Sequence, residues 1–313
     1  MRHSDTNILD GRRSSAIDQA VAALRRDALV AIPTETVYGL AARASSPEAV
    51  KRIFTVKGRP PTHPLILHIR EVGDLEKWSL DLSNDAKILA EHFWPGPLTI
   101  VVRRNQNVCD EITGRRETVA IRCPNHSITA ELLKRLDDAI VAPSANRFGK
   151  VSPTSAQHVA ADLGHDVEII LDGGDCMVGL ESTIVDCTTN PPQLLRAGAI
   201  TVERIENDCK IRIVASTGES RASGMLEKHY APNCKIEPVA SRLQAELRQK
   251  ELTQLGLTSE ILDFGSDLND YAQKLYARLR DADDRELDVV IAVSPPMAGI
   301  GIAINERLQK ASS

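Results

Sequence analysis

The chain reads as an α/β protein in two parts. Three features predict this. Helical and β-rich runs alternate from Ile17 to Asp186, a polar break (STGESRASG) begins at Ser216, and a second, shorter alternation follows to the C-terminus. The implied organisation is a domain over residues 1–215, a connecting segment over 216–234 and a small βα domain over 235–313.

The elements follow in order. Ile17 to Arg26 places Ile17, Ala20, Val21 and Leu24 at helical spacing, and Ala28 to Ile32 reads as a buried strand. Ser46-Pro47-Glu48 is a helix start, with an N-cap serine, proline at the first helical position and an acid in the first turn. That helix carries Val50, Ile53 and Phe54 on one face and ends near Gly58. Strands are expected from Leu65 to Ile69, Leu98 to Val102, Val119 to Arg122, Ile140 to Ala142, Glu168 to Leu171 and Thr183 to Asp186. Helices are expected from Asp85 to Phe93, Ser127 to Leu136 and Ser155 to Ala161. Past the break, strands from Lys235, Glu260 and Val289 alternate with helices from Arg242, Tyr271 and Ala303. Periodicity alone does not give the strand order.

Composition narrows the functional classes. The net charge is −5, and residues 235–313 hold 10 basic and 13 acidic side chains, so neither part is globally basic and non-specific phosphate-backbone binding has no compositional support. Aromatic residues are only 3%, so the core must be aliphatic. Six cysteines stand singly, without CxxC pairs or zinc-type spacing, as expected of reduced thiols in a cytoplasmic protein. The N-terminus lacks an apolar signal core, and no uncharged apolar run approaches the roughly 18 residues of a membrane span.

The chemistry concentrates in PTETVYGLAARASSPEAVKRIFTVKGRPPTHPLILHI. A hydroxyl-rich turn (Thr34, Thr36, Tyr38) precedes a cationic one (Lys57, Arg59), offering hydrogen bonds to a small polar molecule and positive charge to phosphate oxygens. Neither G-x-x-x-x-G-K-[ST] nor G-x-G-x-x-G occurs, so a nucleotide must be held by side chains and irregular loops. Arg122, which ends an apolar strand, and Arg196, between Leu194-Leu195 and Ala-Gly, are further phosphate candidates, with hydroxyls from Ser144 and Ser152. Pro143-Ser144-Ala145-Asn146 follows a strand and is either a ligand-binding turn or a self-stabilised Asx turn. Gly173-Gly174-Asp175 and Gly179-Leu180-Glu181-Ser182-Thr183 either present Ser182 or Thr183 to a substrate or form a long hairpin connection. His68 lies on a strand, where a lone histidine is more often structural than catalytic. The SPPMAGIG run after Val293 is an incomplete phosphate-loop pattern, with two prolines removing amide donors.

Five blocks in order resemble the YrdC-like domain of threonylcarbamoyl-AMP synthases: the turn above, Lys57-Gly58-Arg59, Ser144-Ala145-Asn146, LDGGDCMVGLESTIVD and LLRAGAI. The resemblance runs from about residue 16 to 215 and resumes at His229-Tyr230-Ala231-Pro232 and GIGIAINERL, as in the long, two-domain form of the family. It implies a twisted, open, mixed sheet with a concave site and a small Rossmann-like C-terminal domain. The implied reaction joins L-threonine, bicarbonate or CO2, and ATP, with Mg2+, into L-threonylcarbamoyl-AMP and pyrophosphate. The product supplies the tRNA threonylcarbamoyl-transfer machinery that modifies an adenosine beside the anticodon.

Carried over residue by residue, Thr36, His68, Arg122, the Ala142 backbone and Ser182 would hold threonine, with Arg122 on its carboxylate. Arg59, His63, Thr118, Ser144, Ser152 and Arg196 would contact ATP, Asn146 would complete the phosphate end and Lys57 would stabilise developing charge. His63 replaces the asparagine common in this place, so its charge state enters the contact. Lys228 and Tyr230 would belong to a segment folding over the site, although Leu226-Glu227 departs from one common version of it. Two rival readings remain at this level. One is an RNA-binding module of the same class, with direct tRNA contact and no adenylation. The other is a carbamoyltransferase subunit, whose additional acylphosphatase-like and zinc-finger regions are not visible.

Overall fold

The computed structural model describes residues 7–216 and 231–312. The strands of the first part are β1 Ile8–Asp10, β2 Val30–Ile32, β3 Gly39–Arg43, β4 Ile66–His68, β5 Ser79–Leu80, β6 Leu98–Arg104, β7 Thr118–Arg122, β8 Ile140–Val141, β9 Ile169–Asp172, β10 Thr183–Asp186, β11 Gln193–Arg196 and β12 Val214–Ala215. They form one mixed sheet in the order β1-β9-β2-β3-β8-β4-β7-β6-β10-β11-β12, with β5 on β6. Its helices are α1 Ser14–Arg25, α2 Pro47–Lys57, α3 Asn84–Phe93, α4 Asp110–Thr113, α5 Ser127–Leu136, α6 Ala156–Leu163 and α7 Val202–Cys209. Past the break, β13 Lys235–Val239, β14 Ser259–Leu262 and β15 Val289–Val293 form a parallel sheet in the order β13-β15-β14, with helices α8 Arg242–Gln254, α9 Leu268–Asp284 and α10 Ile300–Ala311. The mixed α/β architecture expected from the sequence is the one observed.

Local chemistry accounts for α2, which aims the cationic turn. The Ser46 hydroxyl accepts from the Ala49 amide at 3.3 Å, and Gly58 closes the helix in the left-handed region at φ 64°. Lys57 is the last helical residue, so its direction is set by a structured end.

Alternation along the strands divides the first sheet into two faces. Leu29, Ala31, Leu40, Leu67 and Ile121 belong to the large core that includes residues of α2 and α3. Val30, Ile32, Ala41, Ile140 and Ala142 face the other way, into a core with α1 and α5. On the β4–β7–β6–β10 end of that second face the pattern changes. Ile66, Val101, Ala120, Ile184 and Leu195 make only a small separate cluster. This is the floor on which the candidate site stands.

The 173–182 connection is not a hairpin. β9 and β10 are separated by β2, β3, β8, β4, β7 and β6, so this loop crosses most of the sheet. No helix among the described residues is long and apolar enough to cross a membrane.

Candidate active site

Register brings His68 and Arg122 to one level, with Ser182 a short way along the neighbouring strands. His68 on β4 is opposite Arg122 on β7, and Leu98 of β6 is opposite Thr183 of β10, next to Ser182. His68 shares its face with Ile66, and Arg122 and Thr118 share theirs with Ala120, so these side chains surround the small apolar floor.

Arg122 is the centre of the amino-acid end. Its Nη1 donates to the Thr36 hydroxyl at 2.9 Å, its Nε donates to the Gly96 carbonyl at 3.3 Å, and its Nη2 lies 2.7 Å from Glu35 Oε2. Thr36 is positioned in turn by Thr34, whose hydroxyl sits 2.9 Å from that of Thr36, donates to the Val37 carbonyl at 2.6 Å and accepts from the Thr36 and Val37 amides. Glu35 and Arg122 are both buried, and Glu35 Oε1 has no hydrogen-bond partner.

His68 is fully enclosed. Burial first, and then the Arg122 charge, push its imidazole down to about 3, so the ring is neutral near physiological pH. Its Nδ1 meets the Ile66 carbonyl at 3.1 Å; a carbonyl only accepts, so Nδ1 carries the proton and Nε2 is an acceptor. The Ala142 amide also donates to the Ile66 carbonyl, at 3.2 Å, which leaves the Ala142 carbonyl as the backbone group for a ligand. Ser182 is held by Thr99, 2.7 Å between hydroxyls, and accepts from Arg196 Nη2 at 3.1 Å.

The nucleotide candidates form a second group. Lys57 Nζ donates to the carbonyls of Ser144 (2.6 Å) and Asn146, and the Phe148 amide donates back to the Lys57 carbonyl at 2.8 Å. The Lys-x-Arg and Ser-x-Asn motifs are therefore one unit, and the lysine acts on the turn as well as on any ligand. Burial, then the charge of Arg59, pushes the Lys57 ammonium well below its ordinary range. Asn146 spends its amide hydrogens on the Arg147 and Lys150 carbonyls, both at 2.8 Å, while its buried Oδ1 has no partner. Arg59 donates to the Pro64 carbonyl at 3.0 Å and lies over the Phe148 ring, 5.9 Å from its centre. His63 meets the same ring at 5.6 Å, and burial, followed by Arg59 and Arg116, lowers its imidazole, favouring the neutral form. Thr118 lies four residues down β7 from Arg122, roughly 13 Å at strand rise.

Ser152 has another tie. Its hydroxyl is buried and donates to Glu181 Oε1 at 2.7 Å, while Glu181 Oε2 accepts from Tyr276 at 2.8 Å and lies 3.2 Å from Arg307 Nε. Burial acts to raise the Glu181 carboxyl, but Arg307, Arg196 and Ser152 override it and hold it at about 2. Arg196 donates its Nε to the Ser182 carbonyl at 3.0 Å.

Lys228 and Tyr230 lie outside the described residues. Sequence reading missed Glu35, Glu181, Tyr276 and Arg307. The available signals were a carboxylate between two site hydroxyls, another beside Ser182, and an arginine on the stripe formed by Ala303, Ile304, Leu308 and Ala311.

The chain is similar to known proteins along most of its length. Residues 22–198 match a family described as Telomere recombination, and residues 200–313 match the Threonylcarbamoyl-AMP synthase, C-terminal domain family. The threonylcarbamoyl-AMP synthase of Pyrococcus abyssi is 40% identical, covering 92% of both chains, and that of Bacillus subtilis is 38% identical, covering 95% of this chain and 92% of the relative. The crystal structure of P. abyssi Sua5 complexed with L-threonine superposes with a TM-score of 0.88 at 40% identity, covering 95% of this chain and 94% of the other. On these matches, which run nearly end to end, the chain belongs to the threonylcarbamoyl-AMP synthase family.

Proposed function

We propose that this chain is an L-threonylcarbamoyladenylate synthase, a nucleotidyltransferase that joins L-threonine, bicarbonate or CO2, and ATP, and releases pyrophosphate. The observation that carries the reading is the pairing of the two groups. One is an arginine end built on Thr36, His68 and Glu35; the other is a lysine-braced turn with Arg59 and Asn146. A 40% identical relative has been crystallised with L-threonine, which supports an amino-acid substrate.

The chemistry follows from these groups. Arg122 receives the threonine carboxylate as a fork. A second anion beside Glu35 is balanced when the threonine ammonium sits at Glu35, whose Oε1 is a buried acceptor with no hydrogen-bond partner. Glu35 then takes a proton from the ammonium, the freed amine nitrogen bonds to the carbon of CO2, and the second proton this nitrogen sheds passes to solvent, leaving the carbamate. An oxygen of the carbamate attacks the α-phosphorus in line, and the bond to the bridging oxygen breaks as pyrophosphate leaves. His68 Nε2 accepts from the threonine hydroxyl. This reaction demands positioning and charge neutralisation rather than a protein nucleophile.

Magnesium fits as part of the ATP substrate. Asn146 Oδ1 is an oxygen donor suited to a hard cation, and no group of three or more His, Cys, Asp or Glu able to hold a metal gathers among the described residues. When bound, the ion neutralises triphosphate charge. The product would pass to tRNA-modifying transferases in the cytoplasm. The test is pyrophosphate release in bicarbonate buffer: release should require threonine, and equal release without it would overturn the reading.

A further inference from the structure

We propose that the C-terminal part of the chain sets the ATP half of the site through Glu181, with Arg307 and Tyr276 as positioning residues for Ser152 and Arg196. This rests on the reading of Ser152 and Arg196 as ATP contacts.

Glu181 is a buried carboxylate with a partner on each oxygen. Oε1 takes the Ser152 hydroxyl from the first part of the chain, while Oε2 takes Tyr276 of α9 and Arg307 of α10. The Arg307 side chain is 0% exposed. A buried ion pair is a weak device for stability, because apolar side chains of similar volume usually serve as well. What it provides is direction. Both lone-pair systems of Glu181 are assigned, so the Ser152 hydroxyl has one orientation. The next residue, Ser182, receives Arg196 on both its carbonyl and its hydroxyl.

The surrounding contacts converge on the same two loops. Gly179 has φ 75°, and a Cβ there would lie 2.4 Å from the Gln273 carbonyl, so α9 packs directly against the loop backbone. Arg280 of α9 pairs with Asp162 at 2.7 Å and reaches the Val151 and Ser152 carbonyls. Leu180 and Val151 share one apolar cluster with Tyr276, Leu279 and Leu308. The threonine end is built differently. Arg122 is tied to Thr36 and Glu35, His68 to the Ile66 carbonyl, and Ser182, the threonine contact that adjoins Glu181, is held by Thr99 of the first sheet as well as by Arg196. Disturbing Arg307 should therefore change ATP binding more than threonine binding.

The experiment uses the full chain and equilibrium calorimetry with ATP alone and with L-threonine alone, together with thermal denaturation. Arg307→Met leaves Glu181 charged and buried without its Arg307 partner, so its Tm should fall. Glu181→Gln/Arg307→Met removes both charges and should recover much of that Tm. Both variants should bind ATP at least about tenfold more weakly, as expected for losing a charge-assisted tie, with threonine affinity within about twofold of wild type. Arg307→Lys should recover part of the ATP affinity. Tyr276→Phe removes a single donor and should weaken ATP by about threefold at near wild-type Tm, giving a readout even if the double variant fails to fold.

A folded double variant with wild-type ATP affinity would reduce Arg307 to interdomain packing and overturn the proposal. Equal losses for ATP and threonine would do the same, as would an unchanged Tyr276→Phe. Failure of the functional reading is separable: it would show as wild-type chain that releases no threonine-dependent pyrophosphate, whatever the variants do to ATP affinity.

Discussion

Replacing Arg122 should divide threonine affinity from ATP affinity. Its side chain is 5% exposed, paired with Glu35 at 2.7 Å and bonded to Thr36 at 2.9 Å. In the proposed complex it also receives the threonine carboxylate. Losing a buried charged contact of that kind costs about 2–5 kcal/mol, which corresponds to roughly a 30- to 5,000-fold weaker Kd. Arg122→Ala has a second effect, because Glu35 is left as an unpaired buried anion. That costs about 3–5 kcal/mol of stability. Glu35→Gln/Arg122→Ala should therefore be more stable than Arg122→Ala alone. Arg122→Lys keeps the charge but loses the fork, so threonine affinity should recover only in part. ATP affinity should stay within about threefold, since the nucleotide group is held by Lys57 and the loop ties. Calorimetry well below each variant's Tm separates binding from unfolding. Arg122→Ala with wild-type threonine affinity would refute the reasoning.

Three other perturbations test separate links. Glu35→Gln should lower kcat/KM for threonine at neutral pH, with the deficit shrinking as pH rises through the α-amino range near and above about 8, where the amine loses its proton unaided; a pH-independent deficit would remove Glu35 as the proton acceptor. Lys57→Met should weaken ATP binding by about tenfold, because the Ser144 and Asn146 carbonyls lose their shared donor; calorimetry with unchanged ATP affinity would show that the turn stands without it. Acid should unfold the protein through two groups. Glu181 titrates at about 2 in the fold against an ordinary 4.5, so its stabilisation is full above about 4.5 and disappears as pH falls through about 2. His68, at about 3 in the fold against 6.5, is buried neutral, so stability is lost as pH falls below 6.5 and the unfolded chain takes up its proton. His68→Asn should flatten the upper part of the stability–pH curve, and Glu181→Gln the lower part; denaturation curves parallel to wild type in both would contradict these assignments.

The legible parts of the fold were those with local causes. The start of α2 could be read because serine, proline and glutamate act within one turn, and its end because Gly58 takes a left-handed conformation. The strands bearing Arg122 and His68 could be read from apolar runs. β3 was not read as a strand. Its sequence, Gly-Leu-Ala-Ala-Arg, has small residues buried on both faces and therefore no alternation. β11 and β12 were also missed, being short and at the end of the sheet. Among site residues, isolated cations and hydroxyls carried a signal, whereas their partners did not. Glu181 and Arg307 are 126 residues apart, and no local pattern announces that they meet. The sheet order had the same character: the hairpin alternative for residues 173–182 failed because β9 and β10 lie far apart in the sheet, a fact of topology rather than of the loop.

That distinction has a consequence for how the site responds to change. Arg122 and His68 sit on paired strands, so the ladder fixes their level and alternation fixes their face. Their placement is shared with the core and resists local perturbation. Of the proposed ATP contacts, Thr118 and Arg196 lie on strands, whereas Arg59, Ser144, Asn146 and Ser152 stand in connections whose backbone is held by individual ties: Lys57 to the Ser144 turn, the Asn146 amide to Lys150, and Glu181 to Ser152. Each of those ties is worth about one hydrogen bond, so losing one can shift a loop without unfolding a domain. Sensitivity to distant substitutions should therefore concentrate at the nucleotide end. Among such substitutions, those on α9 and α10 facing residues 151–152 and 179–181 should raise the KM for ATP first, and those in the β4–β7 ladder should appear first as lost stability.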